Sequence, residues 1–423
     1  MDYLLSEFFN KERWESAIEK GVVKDIDKTQ LRRLTKPEVR KAMYNAISNN
    51  NYEIAPPHTA KIPKDNGDYR TVYVNENCDR ILLSIYNDML FELCPEMIHR
   101  SCVSYQKGIG CGKIVKKSSH LMMVIVPVKD KNGKIIGFKS DLSKYFDSVP
   151  IEFIDKIFDM ISLKYGKSKI TEVVKKYYHT DLYFDTEGNL CCNYQSLKQG
   201  CAVASFLADA VLYELDDKLS NLDGYYVRYS DDCLFIGKDY EKAMEIMKTE
   251  LAKMKMSLNP KKVEDLSPDK WFKFLGFNIK GDKITLSKSR VKTFQENIDK
   301  ATKNCKNISS ATRAVNRVLY GGEYSWATSV LPYINVEEDI NTLDRYCLDR
   351  IRSCATNKRK IGGLGSVMDN KNYTILRGKG KNVKSNREKT PKIIDGYYSI
   401  LCMKKNIDTC RPLYETIVRQ MTM

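Results

Sequence analysis

Two adjacent carboxylates, Asp231 and Asp232, stand inside the run Tyr225-Tyr226-Val227-Arg228-Tyr229-Ser230-Asp231-Asp232-Cys233-Leu234-Phe235-Ile236. Residues of high strand preference flank them on both sides, which puts the pair at the tip of a β-hairpin. Two like charges side by side at a turn repel, so folding gains little from them, whereas divalent cations would bind there favourably. A third carboxylate, Asp141, ends the strand-like run Ile135-Ile136-Gly137-Phe138-Lys139-Ser140-Asp141. Three carboxylates from two strands suit two magnesium ions, because Mg²⁺ takes few protein carboxylates and completes its shell with water and phosphate. Such a pair of ions lowers the pKa of a hydroxyl and stabilises charge in an in-line displacement at phosphorus. An aspartate at a turn also serves as a simple cap. That reading suits a lone Asp better than a pair held between two strong strands. A tetrapeptide recurs by chance, so the remainder of the chain has to decide.

The elements that would position these groups follow from apolar spacing. Residues 1 to about 55 read as short helices, and Tyr52-Glu53-Ile54-Ala55-Pro56-Pro57 opens an extended segment. A hairpin is expected over 61–74, with its polar turn around Gly67, followed by an amphipathic helix carrying Ile81, Leu82, Ile85, Leu90 and Leu93. After Asp141, Pro150 opens a helix with Phe153, Ile154, Ile157, Phe158 and Ile161 on one side. Val203, Leu207, Val211 and Leu215 predict one further helix, and Ala243, Ile246, Met247, Leu251 and Met254 another, ended by Asn259-Pro260. Residues 271–279 read as a strand pair. From Asp141 to Ile279 the order is strand, helix, helix, hairpin, helix, hairpin, an α+β arrangement with an antiparallel sheet backed by helices. Residues 288–358 read as helical and basic, and Arg377 to Lys389 as a charge-rich loop.

Composition narrows the class. The chain has 423 residues, a hydrophobic fraction of 42% and a formal net charge of +16. An excess of this size points to a polyanionic partner, most simply nucleic acid, over a surface that is basic only for solubility. No run is long and apolar enough to span a bilayer, and the acidic N-terminus has no secretory pattern. Thirteen cysteines without a C-x-x-C pair and four histidines do not describe a zinc site. They suit reduced thiols in a cytoplasmic protein.

With these motifs in order, the sequence resembles a reverse transcriptase of the bacterial group that includes group II intron, retron and phage-defence enzymes. Asp141-Leu142-Ser143-Lys144-Tyr145-Phe146-Asp147 resembles the first catalytic motif, and Gln199-Gly200 with Ser205-Phe206-Leu207-Ala208 the motif along template and incoming base. Tyr229-Ser230-Asp231-Asp232 resembles the Tyr-x-Asp-Asp box, Leu258-Asn259-Pro260-Lys261-Lys262 the following motif, and Phe274-Leu275-Gly276-Phe277 the primer grip. The resemblance implies a right-hand polymerase with N-terminal helices and fingers over 1–119, a ferredoxin-like palm over 120–285, a helical thumb over 286–359 and a basic extension over 360–423. It implies a catalytic set of Asp141, Asp231, Asp232 and Lys262, with Lys261 as an alternative acid. The metal set is Asp141, Asp231, Asp232 and the Leu142 backbone carbonyl, for two Mg²⁺ ions with Mn²⁺ as a substitute. Lys64 and Arg70 would hold triphosphate oxygens, and Phe146 would act as a steric gate beneath the sugar. Gln199 and Gly200 would meet the incoming base, and Gln106, Lys107 and Gly108 the template. Phe274, Leu275 and Gly276 would meet the primer.

Two departures stand out: Ala204-Ser205 where many relatives have Ser-Pro, and Asp209 where Asn is usual. No Cys/His endonuclease module follows the thumb region. The segment around Pro56, Lys64 and Tyr105-Gln106-Lys107-Gly108 leans toward the class 2 defence enzymes, within the abortive-infection and unknown-group branch. The implied activity is RNA-directed synthesis of cDNA from a noncoding RNA template in anti-phage defence, with dNTPs and a DNA product. The alternatives are template-independent or protein-primed DNA synthesis on the same fold, or a non-catalytic RNA-binding protein.

Overall fold

The apolar spacing of the N-terminal quarter builds four short helices, α1 (Tyr3–Phe8), α2 (Lys11–Lys20), α3 (Lys28–Leu34) and α4 (Pro37–Ser48). The Asp2, Asn10 and Asp27 side chains cap the first three by accepting from free amides of the first turn. The computed structural model describes residues 2–21, 23, 26–64, 67–106, 110–124, 135–322, 325–356, 394 and 396–409. The expected loop over 377–389 lies outside these residues. Next come β1 (His58–Pro63), β2 (Tyr69–Val74), α5 (Asn77–Leu93), α6 (Cys111–Val124), β3 (Gly137–Asp141), α7 (Tyr145–Ser148), α8 (Ile151–Tyr165) and α9 (Lys169–Tyr178). They are followed by β4 (Leu182–Phe184), β5 (Leu190–Cys192), α10 (Ala204–Ala210), α11 (Tyr213–Ser220), β6 (Gly224–Tyr229), β7 (Asp232–Gly237), α12 (Tyr240–Lys253) and β8 (Glu264–Leu266). The remaining elements are β9 (Phe272–Phe274), β10 (Phe277–Lys280), β11 (Lys283–Leu286), α13 (Lys288–Thr302), α14 (Ile308–Tyr320), α15 (Trp326–Ser329), α16 (Glu337–Thr356) and α17 (Ile400–Thr409).

The chain divides into two compact units, Met1–Lys107 with Gly137–Asp265, and Gly108–Ile136 with Leu266–Met423. In the first unit a four-stranded sheet has the order β6-β7-β3-β8. Its central strand β7 is buried from Cys233 to Gly237, as expected of a strand flanked by neighbours and covered by helices. Phe138 stacks on Phe235 with ring centroids 6.0 Å apart. The apolar faces of α8 (Ile154, Ile157, Phe158, Ile161) and α12 (Ala243, Met247, Leu251) complete the core. Each such side chain contributes about 1.5–3 kcal/mol on burial. A second sheet, β2-β1-β4-β5, carries the 61–74 hairpin.

The structure departs from the sequence expectation in two places. Helix α9 and the β4–β5 hairpin were not anticipated. The single helix expected through Val203 and Leu215 is two, α10 and α11. The Ala208 carbonyl, needed to continue the first, accepts instead from the Tyr145 hydroxyl at 2.5 Å and from Arg228 Nη1 at 3.3 Å, and the Asp209 carbonyl accepts from Arg228 Nη2 at 2.9 Å. The strand pair expected over 271–279 is present as β9 and β10, and β11 adds a third strand in the order β11-β10-β9.

That sheet belongs to the second unit, with α6 and the helices from α13 onward. Gly112, one of the glycines in the 106–112 run, starts α6 against Tyr333, and a Cβ there would collide with the ring. Residues 396–400 pack onto α14 and α16. Asp344 accepts from the Tyr397 hydroxyl (2.8 Å) and the Ile400 amide (2.7 Å), while Asn316 Nδ2 donates to the Gly396 carbonyl (2.7 Å). Among the described residues no helix is long and apolar enough to cross a membrane, and every cysteine is a free thiol.

Candidate active site

Antiparallel pairing of β3 with β7 sets Asp141 directly opposite Asp232. Asp231 occupies the turn between β6 and β7, and its carbonyl accepts from the Leu142 amide at 3.1 Å. The backbone thus brings the three expected carboxylates to one end of one sheet, with Leu142 beside them. Asp141 is 6% exposed. Its Oδ2 accepts from Lys262 Nζ at 2.7 Å, and its carbonyl accepts from the Asn259 amide at 2.8 Å. Lys139 Nζ, not singled out from the sequence, lies 3.8 Å from Asp232 Oδ1.

Electrostatics follow from this crowding. Burial, then the charges of Asp141 and Asp232, push the Asp231 carboxyl up to about 6. Burial works against the Lys262 ammonium, but its hydrogen bond to Asp141 and the nearby aspartates raise its pKa overall, so it keeps its proton at neutral pH. Among the described residues no three His, Cys, Asp or Glu side chains already converge as a metal cage. The donor set still fits a hard divalent cation. It consists of carboxylate oxygens, burial and the mutual repulsion of these carboxylates raise Asp231, and the backbone register sets Asp141 opposite Asp232 with Asp231 at the adjoining turn.

Of the other expected residues, Phe146, Gln199, Gly200, Lys64, Arg70, Lys261 and Gln106 belong to the first unit. Phe146 is half-buried, edge-on to Tyr145 at 5.6 Å, and its carbonyl accepts from the Leu197 amide at 3.2 Å, next to the Gln199-Gly200 loop. The Gln199 carbonyl accepts from the Tyr73 amide of β2 at 2.7 Å. Gly200, at φ 107°, lies so close that a Cβ would stand 2.9 Å from the Tyr73 carbonyl oxygen. Only glycine fits both that backbone angle and that approach. Lys64 and Arg70 are exposed on the β1–β2 hairpin, and both charges reach Asp147, where with Lys144 they oppose the upward push of burial on that carboxyl. Lys261 uses its amide to bond Asn259 Oδ1, while its neighbour Lys262 reaches Asp141. Gln106 is half-buried. Lys107 and Gly108 lie outside the described residues. Phe274, Leu275 and Gly276 belong to the second unit, where Leu275 (φ 48°) and Gly276 (φ 81°) form the tight turn from β9 to β10. Arg290 Nη1 holds the Leu275 carbonyl at 3.0 Å.

The profile of the reverse transcriptase (RNA-dependent DNA polymerase) family matches residues 62–279, just over half of the chain. The chain belongs to the reverse transcriptase family. This reverse transcriptase therefore carries RNA-directed DNA polymerase activity, a class of enzyme that generally works with divalent metal ions. Its α+β fold of antiparallel sheets and helices agrees with the right-hand polymerase architecture. No curated protein sequence matches it. Among solved structures it is similar to apo telomerase from Candida tropicalis, with 12% identity, a TM-score of 0.42, and coverage of 82% of this chain and 74% of that one. It is also similar to telomerase from Candida albicans in complex with a fragment of telomeric RNA, with 13% identity, a TM-score of 0.40, and coverage of 75% of this chain and 63% of that one.

Sequence reasoning missed the groups behind the site. Arg228 and Asp216 form an ion pair with both side chains 0% exposed, joined by Nε–Oδ1 (2.8 Å) and Nη2–Oδ2 (2.6 Å) contacts. An arginine between apolar strand residues was the available signal. Asp209, noted as a departure, is fully buried and accepts from the Ser104 hydroxyl at 2.6 Å, and its Oδ2 has no hydrogen-bond partner. Burial pushes this carboxyl up to about 6.

Proposed function

We propose that this reverse transcriptase copies a structured noncoding RNA into cDNA by two-metal-ion nucleotidyl transfer, in the cytoplasm and in anti-phage defence, on the class 2 branch. The observation that carries the chemistry is Asp141 opposite Asp232, with Asp231 at the turn and Lys262 on Asp141. Asp141, Asp231, Asp232 and the Leu142 carbonyl would hold Mg²⁺ or Mn²⁺. When bound, these ions activate the primer hydroxyl and neutralise charge building at phosphorus.

The chain's own residues do the rest. Lys64 and Arg70 bind triphosphate oxygens, and Phe146 lies under the sugar and rejects a 2′-hydroxyl. Gln199 orients the base pair, with Gly200 giving it backbone room. Lys262, kept protonated by Asp141, gives a proton to the departing pyrophosphate. Gln106, Lys107 and Gly108 follow the template, and Phe274, Leu275 and Gly276 the primer end. The defence assignment rests on the motif series around Pro56, Lys64 and Tyr105. Support for an RNA partner comes from the charge of +16.

Sequencing the RNA that copurifies with the protein, together with the DNA it makes, tests the reading. Products complementary to the bound RNA are expected, and the Asp231→Ala/Asp232→Ala variant should make none while still binding RNA. Random or homopolymeric products would assign the same site to untemplated synthesis. Unchanged phage plating on cells expressing the enzyme would remove the defence role.

A further inference from the structure

Ser230, the residue before the carboxylate pair, has φ 57°. A non-glycine residue in the left-handed region costs on the order of 1–2 kcal/mol, so its surroundings must hold it there. Three contacts do so. Its amide donates to Ser104 Oγ at 2.9 Å, its carbonyl accepts from Arg228 Nη1 at 3.1 Å, and its hydroxyl lies 3.5 Å from the Tyr105 phenol oxygen. The first two partners are themselves fixed. Ser104 has one hydroxyl proton and gives it to Asp209 Oδ1, which leaves its oxygen lone pair for the Ser230 amide. Arg228 is held by Asp216 and by the Ala208 and Asp209 carbonyls. The two branches meet at Asp209, whose side chain orients Ser104 and whose carbonyl orients Arg228.

Register is set from far along the chain. The Arg228 amide donates to the Ser101 carbonyl and the Val103 amide to the Arg228 carbonyl, both at 2.9 Å, with Cys102 bridged in parallel to Arg228. Residues 101–103 thus run beside β6 and deliver Ser104 to Ser230, 126 positions later. Ser104, Asp209 and Arg228 are each 0% exposed, so they lie behind the turn and out of reach of substrate.

We propose that Ser104, Asp209 and Arg228 are positioning residues for the polymerase reaction: they clamp Ser230 and thereby set where Asp231 presents its carboxylate. This rests on the reading of Asp231 as catalytic. The clamp acts on the turn and makes no contact with nucleotide, so its loss should lower kcat and leave the KM for dNTP unchanged.

The test combines amide hydrogen exchange with steady-state kinetics on the full chain. In the wild type, the Ser230 amide should exchange at least about tenfold more slowly than its intrinsic rate. Free exchange there overturns the clamp without any variant. Ser104→Ala and Asp209→Leu should each speed exchange in the peptide covering Tyr229–Asp232 and lower kcat about tenfold, with dNTP KM within about twofold. Ser104→Thr, which keeps the hydroxyl, and Asp209→Asn, which keeps the Oδ1 acceptor, should rescue both readouts. A folded Ser104→Ala with wild-type exchange at the turn, or with faster exchange and wild-type kcat, overturns the proposal. Asp231→Asn separates the two readings: if it retained kcat, the catalytic assignment would fail while the exchange result stood on its own.

Discussion

Lys261 and Lys262 are adjacent and chemically alike, yet the Lys262 ammonium is the one seated on Asp141. Loss of a general acid costs about 10²–10⁴-fold. Lys262→Ala should therefore lower the single-turnover rate by that order, and Lys261→Ala by no more than a few-fold. Equal losses would return the choice to open. A second residue-scale consequence concerns Asp209. Its carboxyl is raised to about 6 by burial, against the pull of Arg228 and the Ser104 hydrogen bond. A carboxyl raised in the folded state favours folding while it stays neutral. The contribution is full below about pH 4 and is lost as pH rises through about 6, an effect of about 2–3 kcal/mol. Asp209→Asn should abolish this dependence, so the difference in unfolding free energy between wild type and variant should change between pH 4 and 6 and stay flat above 7. The aspartate triad was legible because adjacent like charges between strands have no folding rationale. Ser104 was not, because its role depends on a contact 126 residues away that local pattern does not encode.

At the scale of elements, the break between α10 and α11 shows what periodicity misses. Val203, Leu207, Val211 and Leu215 keep helical spacing across the break, since both helices bury the same side of the chain. What ends α10 is the Arg228 guanidinium, which takes the carbonyls the helix would have used. Its partner Asp216 sits in α11, so the break and the ion pair are one construction. Removing one member strands a buried charge. Asp216→Ala should cost about 3–5 kcal/mol, read from the midpoint of denaturant unfolding, whereas Asp216→Leu with Arg228→Met should recover most of it. A single variant close to wild type would mean the pair is solvated. The β4–β5 hairpin escaped notice for a different reason. Its strands are three residues each, too short for alternation to show.

For the whole molecule, the strand ending at Asp141, the helix opened by Pro150 and the Asp231-Asp232 hairpin appear where apolar runs and Pro150 placed them. The docking of residues 396–400 was not legible. They dock through Asp344, Asn316 and Tyr320, polar groups that look like surface in sequence and whose partners lie 53 to 82 positions away. The net charge of +16 belongs to this scale too. If phosphate contacts dominate RNA binding, log Kd should rise linearly with log salt, each contact adding about 0.7 to the slope on single strands. Filter binding from 50 to 200 mM salt, concentrations chosen for the assay, checks this, and a flat profile would contradict a phosphate-led interface.

The bond from the Tyr73 amide to the Gln199 carbonyl, with Gly200 pressed on the same strand, makes the β1–β2 hairpin and the Gln199-Gly200 loop one mechanical piece. If the loop reads the base and the hairpin grips the triphosphate, as proposed, the two are reciprocal by linkage. With the roles proposed for Gln199, Lys64 and Arg70, a mispaired base that displaces Gln199 would also loosen the hairpin, and a poor phosphate fit would weaken base reading in return. Copying fidelity would in this way be enforced before chemistry, at the binding step.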